Sequence, residues 1–169
     1  MLSTGKISYY EKGISNETII CLHGIGGDYE SFEPQVNGLS DKYRIISWNM
    51  PGYRDSKPLE KYSFENLSIA LNEFLLNLNL EKVNLMGQSI GGMLAQEFYY
   101  HYPNKVKSLI LIATTSAFGG KNQDFKKQFL EKRLKPISEG KKMKELAKYF
   151  VPSILSKSAS TDVINKAIK

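Results

Sequence analysis

Two apolar runs of strand length end abruptly in clusters of glycine, and this pairing constrains the fold more than any other feature of the chain. Thr18-Ile19-Ile20-Cys21-Leu22 leads straight into His23-Gly24-Ile25-Gly26-Gly27. Lys82-Val83-Asn84-Leu85-Met86 leads into Gly87-Gln88-Ser89-Ile90-Gly91, and Gly92 to His101 then reads as a helix. Short continuous apolar runs bounded by glycine are the mark of strands buried on both faces. The second cluster places Ser89 between two glycines at G-x-S-x-G spacing, on a sharp strand-to-helix turn that holds its oxygen out beyond the sheet. A side chain at position 87 or 91 would collide with the neighbouring strand or helix, so glycine is the residue that fits.

The remaining elements alternate as this start requires. Strands are expected at 6–12, 17–22, 44–49, 82–87 and 107–113, with helices near 30–40, 64–79 and 91–101. In the helix at 64–79, Leu67, Ala70, Leu71, Phe74, Leu75 and Leu78 share one stripe at 3.6-residue spacing. Ser63, just before it, reads as the N-cap, with Asn66 three residues on. Alternating strands and helices predict an α/β three-layer sandwich with a mainly parallel sheet. Such sheets bind ligands beyond the carboxyl ends of their strands, where His23–Gly27 and Ser89 both fall.

The same two clusters predict a site. Ser89 is the candidate nucleophile. The N–H of Ile25, presented by the glycines of the first loop, and the N–H of Ile90, at the start of a helix, are candidate oxyanion donors. His23, Gly24, Gly26, Gly27, Gly87, Gln88 and Gly91 form the supporting motif. Preset donors of this kind are worth about 3 to 4 kcal/mol each in a transition state.

On these residues the chain resembles the α/β-hydrolase family, from residue 5 to about 120. Trp48-Asn49-Met50-Pro51-Gly52-Tyr53-Arg54-Asp55-Ser56 resembles the family's D-x-P-G-x-G-x-S turn, with Asn49 and Arg54 where the family often carries Asp and Gly. Arg54 therefore implies a slightly different loop. Phe98 to Val106 resembles the helix ending in H/Y-P-x-x-V, and Ser108 to Ala113 the strand after it. The resemblance implies a serine hydrolase of esters, lactones or activated C–C bonds, similar to 3-oxoadipate enol-lactonases. Epoxide hydrolases and haloalkane dehalogenases of this fold use Asp as nucleophile, and Ser89 argues against both.

The triad is incomplete as the sequence stands. In this fold the order is Ser, then Asp or Glu, then His. His101 is the one histidine after Ser89, and twelve helical residues put it about 18 Å away, so it reads as a surface residue. His23 precedes Ser89 and supports the first loop. Residues 121–169 resemble an incomplete helical cap, with stripes such as Phe125, Phe129 and Leu134, or Leu146, Ala147 and Phe150, broken at Pro136, Gly140 and Pro152. The expectation is a core at 1–120, a cap segment at 121–169, C-terminal strands missing, and little activity in the chain as given. The alternative is a non-catalytic α/β-hydrolase-like binding domain.

Charge and cysteine content narrow the partners. Residues 1–120 carry 10 Lys/Arg against 12 Asp/Glu, whereas 121–169 carry 13 against 5. The lysines interleave with the apolar stripes, so they read as a solvated face rather than a nucleic-acid or membrane surface. A basic cap facing inward would favour carboxylate-bearing substrates. One cysteine excludes an internal disulfide. No N-terminal run resembles a secretory signal, and no cluster of ligands or phosphate-binding fingerprint points to a metal or cofactor. The expected partner is a small-molecule substrate, in the cytoplasm, without cofactor, nucleic acid or membrane.

Overall fold

The computed structural model describes residues 2–4, 6–119 and 123–168. The chain divides into two compact units, Met1–Ala117 and Phe118–Lys169. The boundary expected between Gly120 and Lys121 lies outside the described residues.

Unit 1 is a six-stranded sheet: β1 (Leu2–Thr4), β2 (Ile7–Lys12), β3 (Thr18–Leu22), β4 (Arg44–Trp48), β5 (Val83–Gln88) and β6 (Val106–Ile112), in the spatial order β1-β2-β4-β3-β5-β6. β3, β4, β5 and β6 run parallel, while β1 and β2 join antiparallel at one side. β1 was not expected from the sequence. A strand of three residues gains most of its stability from pairing, which so short a stretch does not announce.

The sheet is covered on both faces, and the period of two along each strand decides which residue serves which face. Ile20, Leu22, Ile46, Trp48 and Leu85 point to one side. There they meet Leu71, Phe74 and Leu75 of α2 (Phe64–Asn77) and Leu94 and Phe98 of α3 (Ile90–His101). Ile19, Cys21, Ile45 and Met86 point to the other, against Phe32 and Val36. Val36 lies on α1 (Glu33–Leu39), preceded by a 3-10 turn at Tyr29–Phe32, so the helix expected over 30–40 is split into two pieces. Pro34 explains the seam: it fits a first helical turn but supplies no N–H to continue one from before. Ser63 caps α2 as expected, its side chain accepting the Asn66 N–H at 3.0 Å. Cys21 is buried, and desolvation pushes its thiol up to about 12, so it is a core residue and not a nucleophile.

Unit 2 contains α4 (Gln123–Ser138), α5 (Met143–Ile154) and α6 (Thr161–Ile168). Pro136 and Pro152 lie inside α4 and α5 and do not end them, contrary to the expectation. Each sits two residues before the helix end, so the bend caused by its lost N–H bond and its ring's clash with the preceding turn displaces only the last residues of the helix. Gly140 does break the chain, at φ 86. Phe118, Phe125 and Phe129 form a ring cluster, and the Arg133 guanidinium lies 3.4 Å over the Phe129 ring. Leu130, Leu134 and Ile137 remain exposed along α4. No helix among the described residues is long and apolar enough to cross a membrane.

Candidate active site

The site is assembled by strand register. β3 and β5 are parallel neighbours with Leu22 opposite Gly87, so the two glycine clusters leave the sheet side by side. β5 ends at Gln88 and α3 begins at Ile90, which leaves Ser89 alone at the turn. Its backbone is at φ 52, ψ −119, a left-handed conformation that a side chain disfavours and that single functional residues adopt when their surroundings hold them there.

The flanking glycines are dictated by contact. A Cβ at Gly87 would lie 2.5 Å from both the Gly91 carbonyl oxygen and Gly92 Cα. One at Gly91 would lie 2.1 Å from the Leu22 carbonyl oxygen and 2.7 Å from that of His23. The start of α3 is thus pressed against the end of β3, with Gly24 beside Ser89: a Cβ at Gly24 would be 3.4 Å from Ser89 Cβ. The loop itself turns at Gly26, φ 77, and closes through the Gly27 N–H to the Gly24 carbonyl at 3.1 Å. Ile25 is 70% exposed at its tip. Among the described residues neither the Ile25 N–H nor the Ile90 N–H has an acceptor. Gln88 is exposed at the end of β5.

His23 is fully buried with both ring nitrogens engaged. Nε2 accepts the Met50 N–H at 3.0 Å, so the proton belongs on Nδ1, which donates to the Gly24 carbonyl at 2.8 Å. Its ring packs edge-on against Tyr53 at 4.8 Å. Burial holds its pKa below the ordinary 6.5, with the Gly24 carbonyl and the Asp28 charge pulling weakly the other way. It is a neutral brace between two loops, not a base for Ser89. His101 stands at the far end of α3, 3.2 Å from Glu97. The sequence holds two histidines in all, and neither is placed to take the serine proton.

The brace has a pH signature. A histidine whose folded pKa is depressed binds its proton more readily unfolded, so the stability it contributes is complete above pH 6.5 and falls as pH drops below that value. Urea unfolding across this range is expected to show the loss, and His23→Gln to flatten it. An unchanged slope in the variant would assign the acid sensitivity to carboxylates.

In the turn after β4, Arg54 takes a left-handed φ of 49, a conformation that favours glycine. The strain is offset by charge: Arg54 Nε donates to Asp28 Oδ2 at 2.7 Å, its Nη2 pairs with the same oxygen, and Glu30 lies 3.9 Å away. Asn49 is fully buried, accepting the Tyr29 N–H at 3.0 Å and donating to Ser8 Oγ at 2.8 Å. A neutral amide both accepts and donates there without the cost of burying a charge. Ser56 completes the network, its hydroxyl donating to the Asn49 carbonyl at 2.7 Å. These cross-links from the first loop to residues 49–56 were not legible beforehand, although the Pro51-Gly52 turn marked where to look.

A two-faced, mainly parallel sheet that presents a strained serine at the carboxyl end of a central strand defines the class of protein. The chain belongs to the alpha/beta hydrolase fold family, whose sequence profile matches residues 17–139. It is 33% identical over 99 residues to a poly(3-hydroxyalkanoate) depolymerase of Ectopseudomonas oleovorans, a match covering 58% of this chain and 35% of the relative. It is 30% identical over 115 residues to an (E)-2-((N-methylformamido)methylene)succinate hydrolase of Acinetobacter baylyi, covering 66% and 43%. The solved structure of a marine microorganism esterase superposes with a TM-score of 0.69 at 27% identity, covering 97% of this chain and 64% of that one. The chain thus spans less than half the length of these two curated relatives and about two thirds of the solved esterase.

Proposed function

We propose that this chain carries the nucleophile and oxyanion hole of a serine hydrolase acting on a small carboxylic ester, lactone or activated C–C bond. The observation that carries the proposal is Ser89 at φ 52 between two elements, with Gly24 of the first loop against it and the N–H groups of Ile25 and Ile90 unengaged among the described residues. With an ester or lactone, Ser89 Oγ attacks the acyl carbon and gives its proton to solvent; the C–O bond to the leaving group then breaks, and the leaving oxygen takes a proton from solvent. The Ile25 and Ile90 N–H groups receive the charge on the carbonyl oxygen. Similarity to a depolymerase, a succinate hydrolase and an esterase supports the hydrolase class. Residues 118–169 are assigned the role of a cap segment.

The engaged state of both histidines favours a second reading, a non-catalytic domain that binds a ligand in the same cleft. Without a base, catalysis of only about 10³- to 10⁴-fold over water is expected, from the oxyanion hole and binding. The test is acetylation by p-nitrophenyl acetate, followed by intact mass. Slow, stoichiometric acetylation at Ser89, absent in Ser89→Ala, is the expected result. Fast turnover abolished by Ser89→Ala would reveal a base within these 169 residues, and no acetylation at Ser89 would favour the binding domain.

A further inference from the structure

The chain that leaves β6 grips Ser89 from both sides. The Ser89 N–H donates to the Ile112 carbonyl at 3.0 Å, and the Ser89 carbonyl accepts the Thr114 hydroxyl at 2.6 Å alongside the Gly92 and Met93 N–H groups of α3 at 3.0 and 3.1 Å. Between these two anchors Ala113 takes a left-handed φ of 45, a conformation costly for an L side chain that persists where its surroundings over-determine it. The turn swings Thr114 over the start of α3. A Cβ at Gly92 would lie 2.6 Å from Thr114 Cγ2 and 2.7 Å from its Cβ, so the second glycine after Ser89 vacates the volume Thr114 fills. Gln96, one turn along α3, donates to the Thr115 carbonyl at 3.3 Å and holds the segment down.

The Ser89 carbonyl and the Ile90 N–H are the two ends of one planar, trans peptide and point in opposite directions. Whatever fixes the carbonyl aims the N–H. We propose that Thr114 is a positioning residue for the oxyanion hole: its hydroxyl, the shortest of the three donors to the Ser89 carbonyl and the one from a side chain, sets the tilt of that peptide beyond what the two α3 N–H groups fix and so orients the Ile90 N–H toward the developing oxyanion. The proposal rests on the reading of Ser89 as nucleophile. It assigns a chemical role to a residue outside both glycine motifs, reached only because β6 pairs with β5 and places Ile112 opposite Gln88.

Thr114→Val keeps the side chain's shape against Gly92 and removes only the hydroxyl. The 169-residue chain is acetylated with p-nitrophenyl acetate over a range of ester concentrations, in wild type, Thr114→Val, Thr114→Ser and Ser89→Ala. The maximal acetylation rate of Thr114→Val is expected to fall about 10-fold, part of the loss seen when an oxyanion donor is deleted outright. The half-saturating concentration should not change, and Thr114→Ser should recover the rate to within about 2-fold because it restores the donor. The Ile90 amide resonance is expected to move in Thr114→Val and return in Thr114→Ser. Wild-type rate and resonance in Thr114→Val would overturn the proposal, as would a Thr114→Ser variant as slow as Thr114→Val, which would assign the effect to methyl packing. Wild-type acetylation of Ser89→Ala would instead remove the nucleophile itself.

Discussion

Gly91→Ala is expected to lose about 3 kcal/mol of stability, at the upper end of the cost of overpacking. The added methyl has nowhere to go. It would lie 2.1 Å from the Leu22 carbonyl oxygen and 2.6 Å from the carbonyl carbon, both in the backbone of a central strand that is hydrogen-bonded on either side. Relief requires α3 to lift away from β3, which would also separate Ser89 from Gly24. With a urea dependence of about 1 to 3 kcal/mol per molar, the unfolding midpoint should fall by roughly 1 to 3 M. Gly38→Ala is the matched control. Gly38 lies within α1 and a Cβ there meets nothing within 4 Å, so alanine should raise stability by about 0.5 to 1 kcal/mol. A Gly91→Ala protein that unfolds at the wild-type midpoint would show that the two motifs are not packed together.

The second large effect is expected at β6, the last strand of the sheet among the described residues. Sheet edges are ordinarily blunted by charge, proline or short length. β6 has seven residues, and Ser108-Leu109-Ile110-Leu111-Ile112 carries neither charge nor proline. Its one charge, Lys107, is paired with Glu17 at 2.6 Å. Ile110 is 36% exposed and Leu111 45% exposed, on opposite faces of the strand. A strand apolar on both faces is built for the interior of a parallel sheet. Sedimentation should therefore show the chain associating as concentration rises, and Leu111→Lys should weaken association about 10-fold or more, as like charges oppose pairing across a two-fold contact. A monomer at all concentrations, with the amides of 107–113 protected from exchange, would mean that this edge is covered.

Much of unit 1 is legible in the sequence because its elements announce themselves locally. The apolar runs of β3 and β5, the 3.6-residue stripe of α2 and the Ser63 cap each depend on a few adjacent residues. The glycines at 87 and 91 are legible for a related reason: a backbone conformation and a close approach leave no other residue type. Helix ends were less legible, since Pro136 and Pro152 read as breaks yet lie inside α4 and α5. Arg54 shows the same limit, because the sequence displays a bulky residue in place of glycine but not the carboxylates of Asp28 and Glu30 that hold it at φ 49.

By itself the sequence determined the fold class, the turn that carries Ser89 and the shortage of histidines, since each is written in residue type and short-range spacing. Only the tertiary structure decided how His23 supports the first loop, because its neutrality comes from burial and from partners at Gly24 and Met50, the latter 27 residues away. Only the tertiary structure placed Thr114 on the Ser89 carbonyl, a contact 25 residues apart in sequence that exists because β6 lies alongside β5. Local pattern fixes backbone conformation through sterics and burial period. Hydrogen bonds between segments that are distant in sequence follow from strand order, and strand order is a property of the assembled sheet.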